Sequence, residues 1–143
     1  MLKEALDWGH TVKAIVRHPE KLEARERRVA KVDDVYDAGS LAKPIQGNDD
    51  LISAFKPGWK NPSLYADEGR GTVSIIAAVK QAGIKRVLWV GGAGGLESSA
   101  WATISFWVNA AGPSAISVQD YAVAMIDELE RPAHVRQRFT VGY

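Results

Sequence analysis

Along most of this chain, short runs of β-branched and apolar residues alternate with segments of helical periodicity. That order limits the possible fold more than any other feature. Thr11–Arg17 alternates in polarity and is rich in β-branched residues, which predicts a strand. Val29–Val35, Leu51–Phe55 and Arg86–Val90 predict three more, and the last is so apolar that burial on both faces is expected. Leu2–Trp8 reads as the end of an amphipathic helix stopped by Gly9, and Glu20–Ala24 as a short helix entered through Pro19. Ser40–Ile45 reads as a helix that Pro44 should cut short. The longest helix is expected over Tyr65–Gln81, with Val73, Ile76, Ala77 and Val79 as apolar positions and Gly83 as its stop. Ser117 and Asp120 are spaced as a capping box for a helix reaching Glu130, and Arg138–Val141 reads as a final short strand. Strands alternating with helices imply parallel βαβ units, so the predicted class is α/β with a mainly parallel sheet.

Composition removes several classes of function. With 143 residues, of which 46% are hydrophobic and 24% charged, the chain can build a real core as one domain, 1–143. The net charge of +1 supplies no field that would recruit nucleic acid or an anionic membrane. The absence of cysteine excludes disulfides, thiolate metal sites and thiol nucleophiles. His10, His18 and His134 lack the spacing of zinc ligands. The start, Met1–Ala5, has no signal-like apolar run, and the apolar stretches near Ile75–Val79 and Val87–Val90 are too short to span a bilayer. A cytoplasmic protein, monomer or homodimer, acting on small molecules is the expectation.

Four segments carry a family resemblance. Val16–Leu22, Leu51–Trp59 and Val90–Glu97 resemble the successive strand-end signatures of the NmrA-like, atypical short-chain dehydrogenase family, and Ile116–Ala122 is similar to that family's late helix. The likeness covers residues 1–97 and 116–143 and leaves 98–115 as an atypical junction. It implies a Rossmann-like sheet that binds NAD(P)H and transfers hydride to flavin (FMN), a quinone or a small carbonyl compound. Two parts of the family pattern are absent. No Gly-x-x-Gly-x-x-Gly turn precedes Leu2, so the first strand and its pyrophosphate-binding loop are expected to be missing. The stretch between Glu97 and Ile116 is also far shorter than the family's region. Losing those backbone donors should weaken cofactor binding about 100-fold or more. A non-catalytic dinucleotide sensor or interaction module, or an inactive gene fragment, are the alternative readings.

In a doubly wound sheet, ligands lie beyond the carboxyl ends of the strands. Arg17 ends the first strand present, where an acid would favour NAD(H). A guanidinium instead suits the 2′-phosphate of NADP(H), unless it is merely a solvated charge. By resemblance, Asp34 and Val35 flank the adenine, although Asp34 would equally serve as a turn cap. Ser53, Ala54 and Phe55 end the third strand, where small residues admit a cofactor or simply pack the sheet. Gly91, Gly92 and Ala93 open a glycine loop that resemblance sets beside the nicotinamide; the other reading is a flexible turn. Arg25, Arg27, Arg28 and Lys31 read as a solvated face, and the scattered tryptophans as packing residues rather than flavin platforms. No Tyr-x-x-x-Lys pair exists, because Tyr36, Tyr65 and Tyr121 are followed four residues later by Ser40, Gly69 and Met125. No catalytic residue is assigned. With its first strand missing, the sheet is expected to close directly, with a ladder between Ala14–Val16 and Ile52–Ala54; the alternatives are Ala102–Val108 or Arg138–Val141 filling the gap, or a strand donated by a second chain.

Overall fold

The computed structural model describes residues 1–58, 60–91, 108–109, 112–113, 116–137, 139 and 141. They fall into two compact units, Leu2 with Glu4–Val90, and Gly91–Tyr143 with Met1 and Lys3.

The first unit runs α1 (Leu2–Asp7), β1 (Val12–Ile15), a 3-10 turn (Pro19–Lys21), β2 (Arg28–Lys31), α2 (Ala38–Ile45), β3 (Asp50–Ser53), α3 (Leu64–Ala82) and β4 (Arg86–Trp89). This is the expected α/β alternation, with shorter strands. Parallel β1–β2 and parallel β3–β4 form separate two-stranded sheets, in the registers Val12↔Arg28 and Asp50↔Arg86. The expected direct closure is wrong. Among the described residues β1 pairs with β2 alone and β3 with β4 alone, so no ladder joins Ala14–Val16 to Ile52–Ala54. The physical reason lies beneath the strands. Leu41, Ala42 and Ile45 of α2 form one buried cluster with Ile75, Ala78 and Ile84, and Ile15 of β1 and Leu51 of β3 both pack against it. Both pairs are seated on this shared cluster, and a sideways shift of about 4.8 Å to mend the ladder would break those contacts.

Local chemistry explains where the helices stop and start. At the end of α3, Gly83 takes φ 73°, its N–H donates to the Lys80 carbonyl, and Ile84 N–H donates to Val79 at 3.1 Å. That is a Schellman cap, with Ile84 and Val79 meeting in the core, and only glycine adopts the φ without strain. α2 begins two residues earlier than expected because Asp37 caps it, accepting from Ser40 N–H at 3.0 Å. Pro44 is tolerated because it lies in the final turn, where one backbone bond is lost and the helix ends anyway. The apolar β4 is not buried on both faces: Leu88 is buried but Trp89 is exposed, the alternation of a strand with one covered face.

The basic cluster is more than a solvated face. Arg27, at an unusual φ of 59°, donates to the carbonyls of Gly9 at 3.0 Å and Leu6 at 3.2 Å, closing the end of α1. Arg25 pairs with Asp7 at 3.1 Å. At the opposite end of the β3–β4 pair from Ser53, Arg86 grips both carboxylate oxygens of Asp50, at 3.0 and 3.3 Å.

In the second unit, β5 (Val108–Asn109) pairs antiparallel with β6 (Gly112–Pro113), and α4 spans Val118–Glu130. Ser117 caps α4 as expected, its hydroxyl oxygen accepting from Asp120 N–H at 3.0 Å. The expected strand over Arg138–Val141 does not form as written: Phe139 and Val141 are outside any strand, while Arg138 and Thr140 lie outside the described residues. No helix among the described residues is long and apolar enough to cross a membrane.

Candidate functional site

The carboxyl ends of β1, β2 and β3 carry most of the residues singled out from sequence. Arg17 lies two residues past β1 and is exposed. Among the described residues its guanidinium makes no hydrogen bond or ion pair.

The loop after β2 is built from short carboxylate turns. Asp33 Oδ1 accepts from Asp34 N–H at 2.8 Å and from the Ser40 hydroxyl at 2.7 Å. Asp34 Oδ1 accepts from Tyr36 N–H at 3.0 Å, so Asp34 does serve as the turn cap that its residue type allows. Val35 turns inward and packs on the core cluster. Asp34 remains exposed.

The end of β3 holds a polar group without a partner. Ser53 is only 6% exposed, and its hydroxyl has no hydrogen-bond partner among the described residues. Such a group costs about 1–3 kcal/mol when left dry. Ala54, next in sequence, is small and exposed. Phe55 packs on the core cluster and crosses the Tyr36 ring edge-on, with centroids 5.9 Å apart.

Sequence reasoning missed the groups that α3 contributes. The Arg70 guanidinium carbon sits 4.3 Å above the centre of the Tyr36 ring. Gly71 allows α3 to approach Phe55 closely: a Cβ there would stand 2.3 Å from Phe55 Cε1. Nothing in the spacing of Tyr36, Phe55, Arg70 and Gly71 announces their meeting, since it depends on how α3 lies against the strands. The structure thus brings Asp34–Tyr36, Phe55 and Arg70–Gly71 into one contact group. Gly91 is exposed and begins the second unit, while Gly92 and Ala93 lie outside the described residues.

A family model described as NAD(P)H-binding matches residues 1–132. The chain belongs to the NAD(P)H-binding family. The uncharacterized protein YwnB of Bacillus subtilis (strain 168) is 30% identical to this NAD(P)H-binding chain, with 99% of the chain and 91% of YwnB covered. That alignment runs over 199 positions against 143 residues here, so YwnB carries residues that face none in this chain. A crystal structure of a "putative epimerase" from Bacteroides thetaiotaomicron matches with a TM-score of 0.84 and 32% identity, covering 99% of this chain and 89% of that one. A "putative exported protein" from Burkholderia pseudomallei shares the fold, with a TM-score of 0.74 and 23% identity over 99% and 91% of the two chains. Together with the parallel strands, these likenesses establish a Rossmann-like NAD(P)H-binding fold of oxidoreductase type.

Proposed function

We propose that this chain binds NADP(H) in preference to NAD(H) across the carboxyl ends of β1, β2 and β3, and presents it to a flavin such as FMN, a quinone or a small carbonyl compound. The observation that carries the preference is Arg17, an exposed guanidinium past the end of β1 with no carboxylate partner among the described residues. Guanidinium pairs with a phosphate through two parallel hydrogen bonds, whereas an acid at this position would favour the ribose hydroxyls of NAD(H). The neighbouring acids Asp33 and Asp34 each accept a backbone N–H in a turn, and neither pairs with Arg17 among the described residues. The fit extends to β3, where the small, exposed Ala54 leaves room for a close approach. From the sequence resemblance alone, Gly91, Gly92 and Ala93 belong at the nicotinamide end.

When bound, the nicotinamide supplies the hydride, and the protein's part is binding and orientation. Arg17 holds the phosphate, and the end of β3 at Ala54 admits the cofactor beside the backbone. The structural likeness to a named epimerase offers a second reading, in which hydride leaves and returns to one substrate. The missing Tyr-x-x-x-Lys pair favours a flavin or quinone acceptor, since epimerisation and carbonyl reduction both need an acid–base group at the substrate oxygen.

Calorimetric titration with NADPH and NADH tests the preference. NADPH is expected to bind more tightly, and Arg17→Ala to remove most of the difference by costing NADPH roughly tenfold, the value of one charge-assisted contact. Equal affinities in the parent protein, or an unchanged preference in Arg17→Ala, would refute the role of Arg17.

A further inference from the structure

Arg70 stands in an arrangement that the proposed binding of NADP(H) does not itself require. Its guanidinium carbon lies over the Tyr36 ring, 4.3 Å from the ring centre. The residue is exposed, and among the described residues it makes no ion pair or hydrogen bond. A surface arginine ordinarily pays rotamer entropy to stay in one place. Here the stack on Tyr36 holds it, and Tyr36 is held in turn by the Asp34 turn behind it and by Phe55 across its ring. The ring covers part of the guanidinium, and the residue as a whole stays exposed to solvent. A planar cation so placed is a ready platform for an aromatic base, because attraction to a π face acts on both sides of its plane.

The position suits that use. Tyr36 follows Asp34 and Val35 in the loop after β2, and Phe55 follows the exposed Ala54 at the end of β3. We propose that the exposed guanidinium of Arg70 stacks on the adenine of the bound nucleotide, making the Tyr36–Arg70 pair a positioning device for the adenosine half. This rests on the nucleotide-binding reading above and adds to it a determinant supplied by α3, outside the strand ends.

The test compares two ligands, NADPH and reduced nicotinamide mononucleotide, which lacks the adenosine half, by calorimetry on the intact chain. Arg70→Ala is expected to weaken NADPH roughly tenfold, as loss of a stacked cation should, and to leave the mononucleotide unchanged. Tyr36→Ala should do the same by releasing Arg70, whereas Tyr36→Phe, which keeps the ring, should bind NADPH like the parent. A general structural role would weaken both ligands together, and that result overturns the proposal. Unchanged NADPH affinity in Arg70→Ala overturns it as well. If the parent protein bound no NADPH at all, the nucleotide reading itself would fall, an outcome distinct from parent binding that Arg70→Ala does not alter.

Discussion

Glu128 shows how much one side chain can organise when its neighbours are backbone. It is nearly buried on α4, and its oxygens accept from Ala133 N–H at 3.1 Å and His134 N–H at 2.9 Å, while the His134 ring Nδ1 lies 2.9 Å away. The His134 ring stacks on Phe139, centroids 4.8 Å apart, so the carboxylate fixes the turn that follows the helix. The His134 backbone donor, followed by its ring, holds the Glu128 carboxyl below its ordinary range. A depressed carboxylate stabilises the fold above the ordinary value and loses that contribution as pH falls through the lowered one. Urea midpoints followed from pH 7 down to pH 3 should therefore fall more in the parent than in Glu128→Gln, which should already be weaker at pH 7. Identical acid profiles would show that the carboxylate contributes nothing. In sequence Glu128 is one acid among many on a helix, and its partners are unrecognisable until the chain turns back. The Ser117 cap was legible because it depends on residues three apart.

Among the elements, α3 decides the shape of the candidate site. Its length and its stop at Gly83 could be read from periodicity and from glycine's tolerance of positive φ. What it faces could not. Gly71 is buried against the Phe55 ring, and Phe55 meets Tyr36. Gly71→Ala is expected to cost about 1–3 kcal/mol, because the new methyl would force the ring off its rotamer or push the helix away. Adding Phe55→Leu to that variant should recover part of the loss by giving the methyl room. Equal urea midpoints for Gly71→Ala and the parent would show that the ring turns aside freely. The strands were legible in place but not in extent. Val29–Val35 shrank to Arg28–Lys31 because Asp33 and Asp34 draw the backbone into turns, and Leu51–Phe55 ends at Ser53 where Phe55 leaves to pack on α3. Of the residues in the proposed site, Arg17 and Ser53 were singled out from sequence because strand ends are where this topology puts ligands. Tyr36 and Arg70 were not, because an aromatic–cation stack between a loop and a helix has no spacing rule.

For the whole molecule, the alternation of strands and helices sufficed to predict an α/β class, and strand-end signatures sufficed to suggest a dinucleotide fold. The arrangement of strands into sheets was harder, because hydrogen-bond ladders depend on how helices seat each strand. β1 and β2 hold one another, as Val12 N–H donates to Arg27 and Val16 N–H to Lys31, while Val90 N–H donates to Ser53 in the other pair. With no ladder between β1 and β3 among the described residues, the two halves are joined through the side chains of α2 and α3. Side-chain packing can yield locally where a continuous ladder cannot, so the molecule should open in stages. The β1–β2 half, whose Val29 and Val32 are exposed, is the weaker one, and the Asp50–Arg86 fork strengthens the other. Amide exchange followed at rising denaturant should release the Val12 and Val16 protons through a smaller opening than the Val90 proton. A single opening free energy for all three would mean that the helices couple the halves as firmly as a shared ladder. Staged opening would instead give the end of the sheet that carries Arg17 its own local equilibrium, one that a ligand bound there would pull toward order.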